Sequence, residues 1–141
     1  MISSSMNVKG LAELDKALAK IGAVAGGRAL VAALKDAAEP VHSHMVANAP
    51  EDSGDLKARI KKRAKKGKGG GKTSAKVSVG TAKVDFYGAI SNEFGRPDRP
   101  PKPFIRLALE KNWRKSASIF SYALKKRIQQ QAKRLAKQAA K

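Results

Sequence analysis

Few residues in this chain have the type and spacing to do chemistry. Gly71-Lys72-Thr73 resembles the end of a phosphate-binding loop, but the pattern G-x-x-x-x-G-K-[ST] requires glycine where the chain has Lys66. It also requires a helix to follow, and a strand-like alternation follows instead. His42 and His44 are the two histidines. On a helix, residues two apart do not share a face, so this pair makes a poor joint metal site. Asp52 and Asp55 flank a turn beside a basic run. Capping and local ion pairing account for them better than paired-carboxylate catalysis. Cysteine is absent, which removes disulfides and thiolate metal sites and leaves a reducing cytoplasm allowed. No nucleophile, base and orienting group come together. The expectation is a protein without catalytic residues, cofactor or metal, and so not an enzyme.

The most informative acid is Glu93, set in Tyr87-Gly88-Ala89-Ile90-Ser91-Asn92-Glu93-Phe94-Gly95. It lies among aromatic residues beside a glycine break. Two roles are open: an exposed or capping glutamate, or an ion pair with Arg96, Arg99 or Arg106, within the chain or across a subunit contact. A proline-rich stretch follows, then Pro103-Phe104-Ile105-Arg106-Leu107-Ala108-Leu109. Aromatics, a glycine break, prolines and a new helix in close succession suit packing and assembly better than catalysis. Phe94, Pro103 and Phe104 are expected to form one packed corner that orients the last helix.

The elements that must position these residues can be read from periodicity. Leu11, Leu14, Leu18 and Ile21 recur at helical spacing, with Asn7 as a plausible N-cap and Gly22 and Gly26-Gly27 as stops. A second helix is expected over 28–47, with Leu30, Leu34, Ala37, Val41 and Met45 as its stripe. Pro40 falls inside it and should kink or break it near Glu39. Pro50 to Leu56 reads as a turn around Gly54. Leu56, Ala58 and Ile60 alternate with charged residues, as do Ala75, Val77 and Val79. These flanks suggest an antiparallel pair, although Leu56 and Ile60 equally fit the start of a helix. Between them, the stretch 65–73 is rich in glycine and lysine and is expected to be a mobile loop. Phe86, Tyr87, Ile90 and Phe94 favour a short helix closed by Gly95. From Phe104 a long helix follows, striped by Leu109, Trp113, Phe120, Leu124, Ile128 and Leu135.

The expected fold class is therefore α+β: N-terminal helices, a small antiparallel sheet with a long basic hairpin loop, and a long C-terminal helix. The 141 residues fit one core. The reading places a single α+β domain over 1–124 and a basic helical extension over 125–141. No apolar run approaches the roughly 20 residues of a membrane span. The first residues lack the basic and apolar regions of a signal peptide.

Charge is the other prominent feature. Thirty Lys and Arg stand against eleven Asp and Glu, a net +19. Between Lys57 and Lys76 there are ten basic residues and no acid, and ten more follow Glu110, the last acid. Such a charge opposes its own folding and usually faces an anionic partner. The candidate contacts are Lys61, Lys62, Arg63, Lys65, Lys66, Lys68 and Lys72 in the first run, and Lys125, Lys126 and Arg127 in the second. No zinc-finger spacing, heptads after a basic region or RNP aromatics appear. Aromatics are 5% of the chain, thin for base stacking. Any nucleic-acid contact would be directed at the backbone and blind to sequence.

Four segments in order resemble a known family. They are the leucine-patterned N-terminal helix leading into an alanine-rich one; Ala49-Pro50-Glu51-Asp52-Ser53-Gly54-Asp55-Leu56; Val77-Ser78-Val79-Gly80; and Glu93-Phe94-Gly95 with Pro103 to Leu109. Together they are similar to the gene-product-10-like family of lambdoid phages, the tail-completion and head–tail joining proteins of long-tailed double-stranded DNA phages. The chain departs from the pattern in Arg96 after the glycine and in the length of its basic tail. The resemblance implies a structural virion protein of the neck, made in the host cytoplasm and carried in the tail. It implies a self-assembled ring, a hexamer matching the tail, and contacts with stopper or adaptor, tail terminator and tail tube proteins. The end of the packaged DNA is a further implied partner. The assembly candidates are Tyr87, Glu93, Phe94, Gly95, Arg96, Pro103, Phe104 and Arg106. The alternative is a basic protein that binds nucleic acid regardless of sequence.

Overall fold

The computed structural model describes residues 11–51, 55–67 and 74–141. The Asn7 cap, the Asp52-Ser53-Gly54 turn, Gly71-Lys72-Thr73, Lys68 and Lys72 lie outside the described residues, as does most of the expected loop over 65–73. The side chains of Leu11, Leu14 and Leu18 lie outside them too. In chain order the elements are α1 (Leu11–Lys20), α2 (Ala23–Ala37), α3 (Glu39–Asn48), α4 (Asp55–Arg59), β1 (Lys61–Lys66), β2 (Ala75–Gly80), a 3-10 turn (Lys83–Asp85), α5 (Phe86–Phe94) and α6 (Ile105–Ala139). This is the α+β arrangement read from the sequence.

Gly22 separates α1 from α2 with φ 83°, ψ 154°, a backbone conformation essentially reserved for glycine. Gly26 and Gly27, expected as stops, instead lie inside α2. Each glycine in a helix interior costs about 1 kcal/mol relative to alanine. Tertiary packing offsets this: both are buried, and Ala29 and Ala33 of α2 are buried against Ala123, Leu124 and Ile128 of α6. Pro40 acts as expected. It sits in the first turn of α3, where a missing N–H is tolerated. The helix is interrupted at Ala38, and His42 N–H resumes the ladder by donating to Ala38 C=O at 2.9 Å.

The antiparallel pair forms, and of the two readings open for Leu56 to Ile60 the helical one holds, so the first strand starts later than the alternation suggested. Residues 55–59 are helix α4, and the strand is the basic run Lys61–Lys66 itself, from Lys61 opposite Gly80 to Lys66 opposite Ala75. Lys62 and Ala64 face inward beside Val77 and Val79, and both strands pack on α2. A lysine stem can cover apolar surface while its ammonium stays polar, so this run forms a strand without an apolar stripe of its own. Lys62 ends on Glu39, and the Lys66 stem lies where a Cβ on Gly27 would come within 2.9 Å of its Cε.

The core has two parts. One joins Ile21, α2 and the second half of α6. The other gathers Met45, Ala49, Ile60, Ala89, Phe104 and Ala108, with Val41, Leu56 and Val79 against it. Burial on α6 continues past Leu124 to Ile128, and from residue 132 onward the helix is exposed. No helix among the described residues is long and apolar enough to cross a membrane.

Candidate functional site

Helix α6 begins without a side-chain cap from its own N-terminal residues. Its first N–H groups would be orphaned next to the core, since Phe104 is fully buried. Glu93, the next-to-last residue of α5, supplies the missing acceptor. Its Oε2 accepts the N–H of Phe104 and of Ile105, both at 2.9 Å. Its Oε1 accepts the N–H and the Nε–H of Arg106, both at 3.0 Å. Glu93 is itself buried, with 3% of its surface exposed. Burial alone would push the carboxyl pKa up. The N–H groups of Ile105, Arg106 and Phe104 and the Arg106 side chain outweigh it and hold the carboxyl below its ordinary value. The negative charge also lies at the positive end of a 35-residue helix.

The intervening chain is shaped to make this possible. Gly95 leaves α5 with φ 82°, ψ 175°, and a Cβ there would lie 2.9 Å from Pro101 N and 3.1 Å from Arg99 C=O. Arg96 and Arg99 exchange backbone hydrogen bonds at 2.9 and 3.1 Å, closing a tight turn over Pro97-Asp98. Lys102 N–H then donates to Asn92 C=O at 2.7 Å, which brings Pro103 and Phe104 back onto α5.

Of the three arginines open as partners for Glu93, the structure selects Arg106. Its guanidinium also lies 5.0 Å from the centre of the Phe94 ring. The expected corner of Phe94, Pro103 and Phe104 forms only in part. Phe104 is buried and Pro103 half-buried, but Phe94 is 64% exposed and covered on one side by Arg106. The reason lies in how α5 is oriented. Its inward residues are Ala89 and Glu93, one turn apart, because Glu93 must reach α6. Its large apolar residues, Phe86, Tyr87, Ile90 and Phe94, therefore point outward, joined by Val84. Tyr87 is 79% exposed and meets Phe86 edge to face at 5.7 Å.

The same inversion marks the first half of α6. Leu109 and Trp113, expected in its core stripe, are exposed. Its inward residues there are Ala108, Asn112 and Ser116. The stripe of large residues and the buried stripe are one position out of phase. That offset is a signal available in the sequence once the inward role of Ala108 is known. Leu109 and Arg106 also border an apolar groove of about 500 Å³, walled by Leu34, Val41, Val77 and Phe120. Phe86, Ile90, Leu109, Trp113 and Leu135 are among the exposed apolar residues that sequence reasoning did not place at the surface.

The basic candidates separate into groups. Lys61, Arg63 and Lys65 point outward from β1, whereas Lys62 is paired with Glu39 and Lys66 lies over Gly27. Lys125 and Lys126 are exposed on α6, and Arg127 donates to Asp36 at 2.8 Å. His42 is occupied by the fold, its Nε2 lying 3.1 Å from Ile60 C=O.

A protein-family model described as "Bacteriophage HK97-gp10, putative tail-component" matches residues 12–95, more than half of the chain. The matched region runs from α1 to Gly95 and includes Glu93; Phe104, Arg106 and the rest of α6 lie beyond it. No curated protein and no solved structure matches the chain.

Proposed function

Because the chain belongs to the HK97-gp10-like family of phage tail components, we propose that it is a structural virion protein that completes the head-proximal end of the tail and joins it to the head. It works by contact and carries out no catalysis. The observation that supports this reading is the outward apolar face of α5, with Phe86, Tyr87, Ile90 and Phe94 exposed on a helix whose orientation is fixed by Glu93. A contiguous apolar face on a rigid element is a protein contact surface.

Copies of the chain assemble into a ring, a hexamer at the neck. Closed rings of this kind use heterologous contacts, which need two different surfaces on one subunit. The α5 face and the groove beside Leu109 are two such surfaces, and Arg106 stands at the edge of both. The remaining partners are the neighbouring stopper or adaptor, tail terminator and tail tube proteins. The protein is made in the host cytoplasm and ends in the virion.

The test is complementation of a phage lacking this gene. Wild-type protein should restore particles with heads joined to tails. A Tyr87→Ser/Phe94→Ser variant with an unchanged circular dichroism spectrum should leave unjoined heads and tails. Normal titre from that variant would refute the role of the α5 face. Infectious particles containing no copy of the protein would refute the placement in the tail.

A further inference from the structure

We propose that the outward face of the β1–β2 hairpin is a sequence-independent binding site for the phosphate backbone of duplex DNA. The inference stands apart from the tail-joining role, because it rests on the hairpin alone. Lys61, Arg63 and Lys65 alternate along β1 and all face outward, and Lys76 faces outward from β2. Ser78 and Gly80 complete the face. Neither strand contains an acid. None of the four cations has a carboxylate partner among the described residues.

Three features favour a nucleic acid over an acidic protein. First, the face carries no large apolar side chain, whereas the buried centre of a protein–protein interface is apolar and depleted in charge. Second, Lys65 lies directly opposite Lys76. Like charges in that position destabilise a strand pair, and a dense row of anions relieves the repulsion. Duplex DNA presents one negative charge per roughly 1.7 Å of axis. Third, alternate residues on a strand recur about every 6.6 Å, so the three β1 cations form a row that several backbone phosphates can meet together. At the Gly80 end, Arg59, Lys61, Arg63, Ser78 and Thr81 border a cavity of about 260 Å³, in which cations and hydroxyls can meet a phosphate together. Arg59 is held there by Asp85 at 3.0 Å. Contacts from this row to phosphate oxygens fix position without reading bases, so binding should not depend on sequence.

The experiment measures binding of the intact protein to a fluorescent 24-base-pair duplex by anisotropy between 50 and 200 mM salt. Two variants each remove four positive charges. One changes Lys61, Arg63, Lys65 and Lys76 to Gln. The other changes the exposed Lys125, Lys126, Lys133 and Lys137 of α6 to Gln. Four phosphate contacts contribute roughly 3.6 to the slope of log affinity against log salt. The hairpin variant should therefore lose about that much slope, and the α6 variant should keep a slope close to wild type. Two duplexes of unrelated sequence should bind within twofold of each other. Equal losses in the two variants would show diffuse charge and overturn the site. Failure of the wild type to bind duplex at 50 mM salt, while it binds poly-glutamate, would assign the face to an acidic protein and overturn the proposal.

Discussion

Glu93 and Arg106 are joined twice over. One carboxylate oxygen accepts both the backbone N–H and the Nε–H of Arg106 at 3.0 Å, so a single side chain closes the end of α5 onto the first turn of α6. The other oxygen takes the two N–H groups before it. The orientation of the exposed α5 face therefore depends on one buried carboxylate.

Glu93→Ala should destabilise the protein by about 3 kcal/mol. It orphans N–H groups at the buried start of α6, each costing about 1–3 kcal/mol when unpaired, and the half-exposed Arg106 recovers part of the loss from water. The pH dependence has a definite sign. The folded carboxyl has a lowered pKa, so its contribution is fully present above the ordinary value of 4.5 and is lost as pH falls through the folded value. Urea melts of wild type and Glu93→Gln should differ at pH 7 and converge as the pH is lowered below 4.5. A constant gap across that range would contradict the role of the charge.

Phe104 and Phe94 should respond differently to truncation, although both belong to the same segment. Phe104 is fully buried, and Phe104→Ala should cost about 3–5 kcal/mol. Phe94 and Tyr87 are exposed, so Phe94→Ser and Tyr87→Ser should each change stability by under about 1 kcal/mol. Thermal melts separate the two classes. A large destabilisation by Tyr87→Ser would mean that the face is internal.

Gly95→Ala should cost about 2 kcal/mol or more. The φ of 82° with ψ 175° costs about 1–3 kcal/mol for any other residue, and the added Cβ meets Pro101 and the Arg99 carbonyl. Gly88→Ala is the control: it lies inside α5, which Gly95 ends, and nothing is within 4 Å of its Cβ position. It should stabilise the monomer by up to about 1 kcal/mol. Equal melting temperatures for the two variants would be inconsistent with the turn described above.

The basic triplet on α6 should divide. Lys125 and Lys126 are exposed, and reversing both to Glu should leave the melting temperature nearly unchanged. Arg127 pairs with Asp36, and Arg127→Glu should destabilise by about 1 kcal/mol, because it removes a surface pair and places two acids together. Circular dichroism melts of the double and single variants check this directly.

What the sequence determined by itself is local. Helical spacing located α1, α5 and α6; Pro40 located the break before α3; Gly95 located the end of α5; and the alternation over 75–79 located β2. These signals are carried by neighbouring residues, and a single chain displays them whole. The motifs around Glu93-Phe94-Gly95 also pointed to the family. Tertiary structure decided which way each element faces. Gly26 and Gly27 remain helical because α2 is held against α6 and the hairpin. Lys61–Lys66 becomes a strand because α2 offers a surface to its stems. The aromatic stripe of α5 points outward because Glu93 has an unfilled helix start to satisfy eleven to thirteen residues further on. Periodicity records that a stripe exists; only the competition between apolar burial and orphaned N–H groups decides whether that stripe or its opposite faces the core.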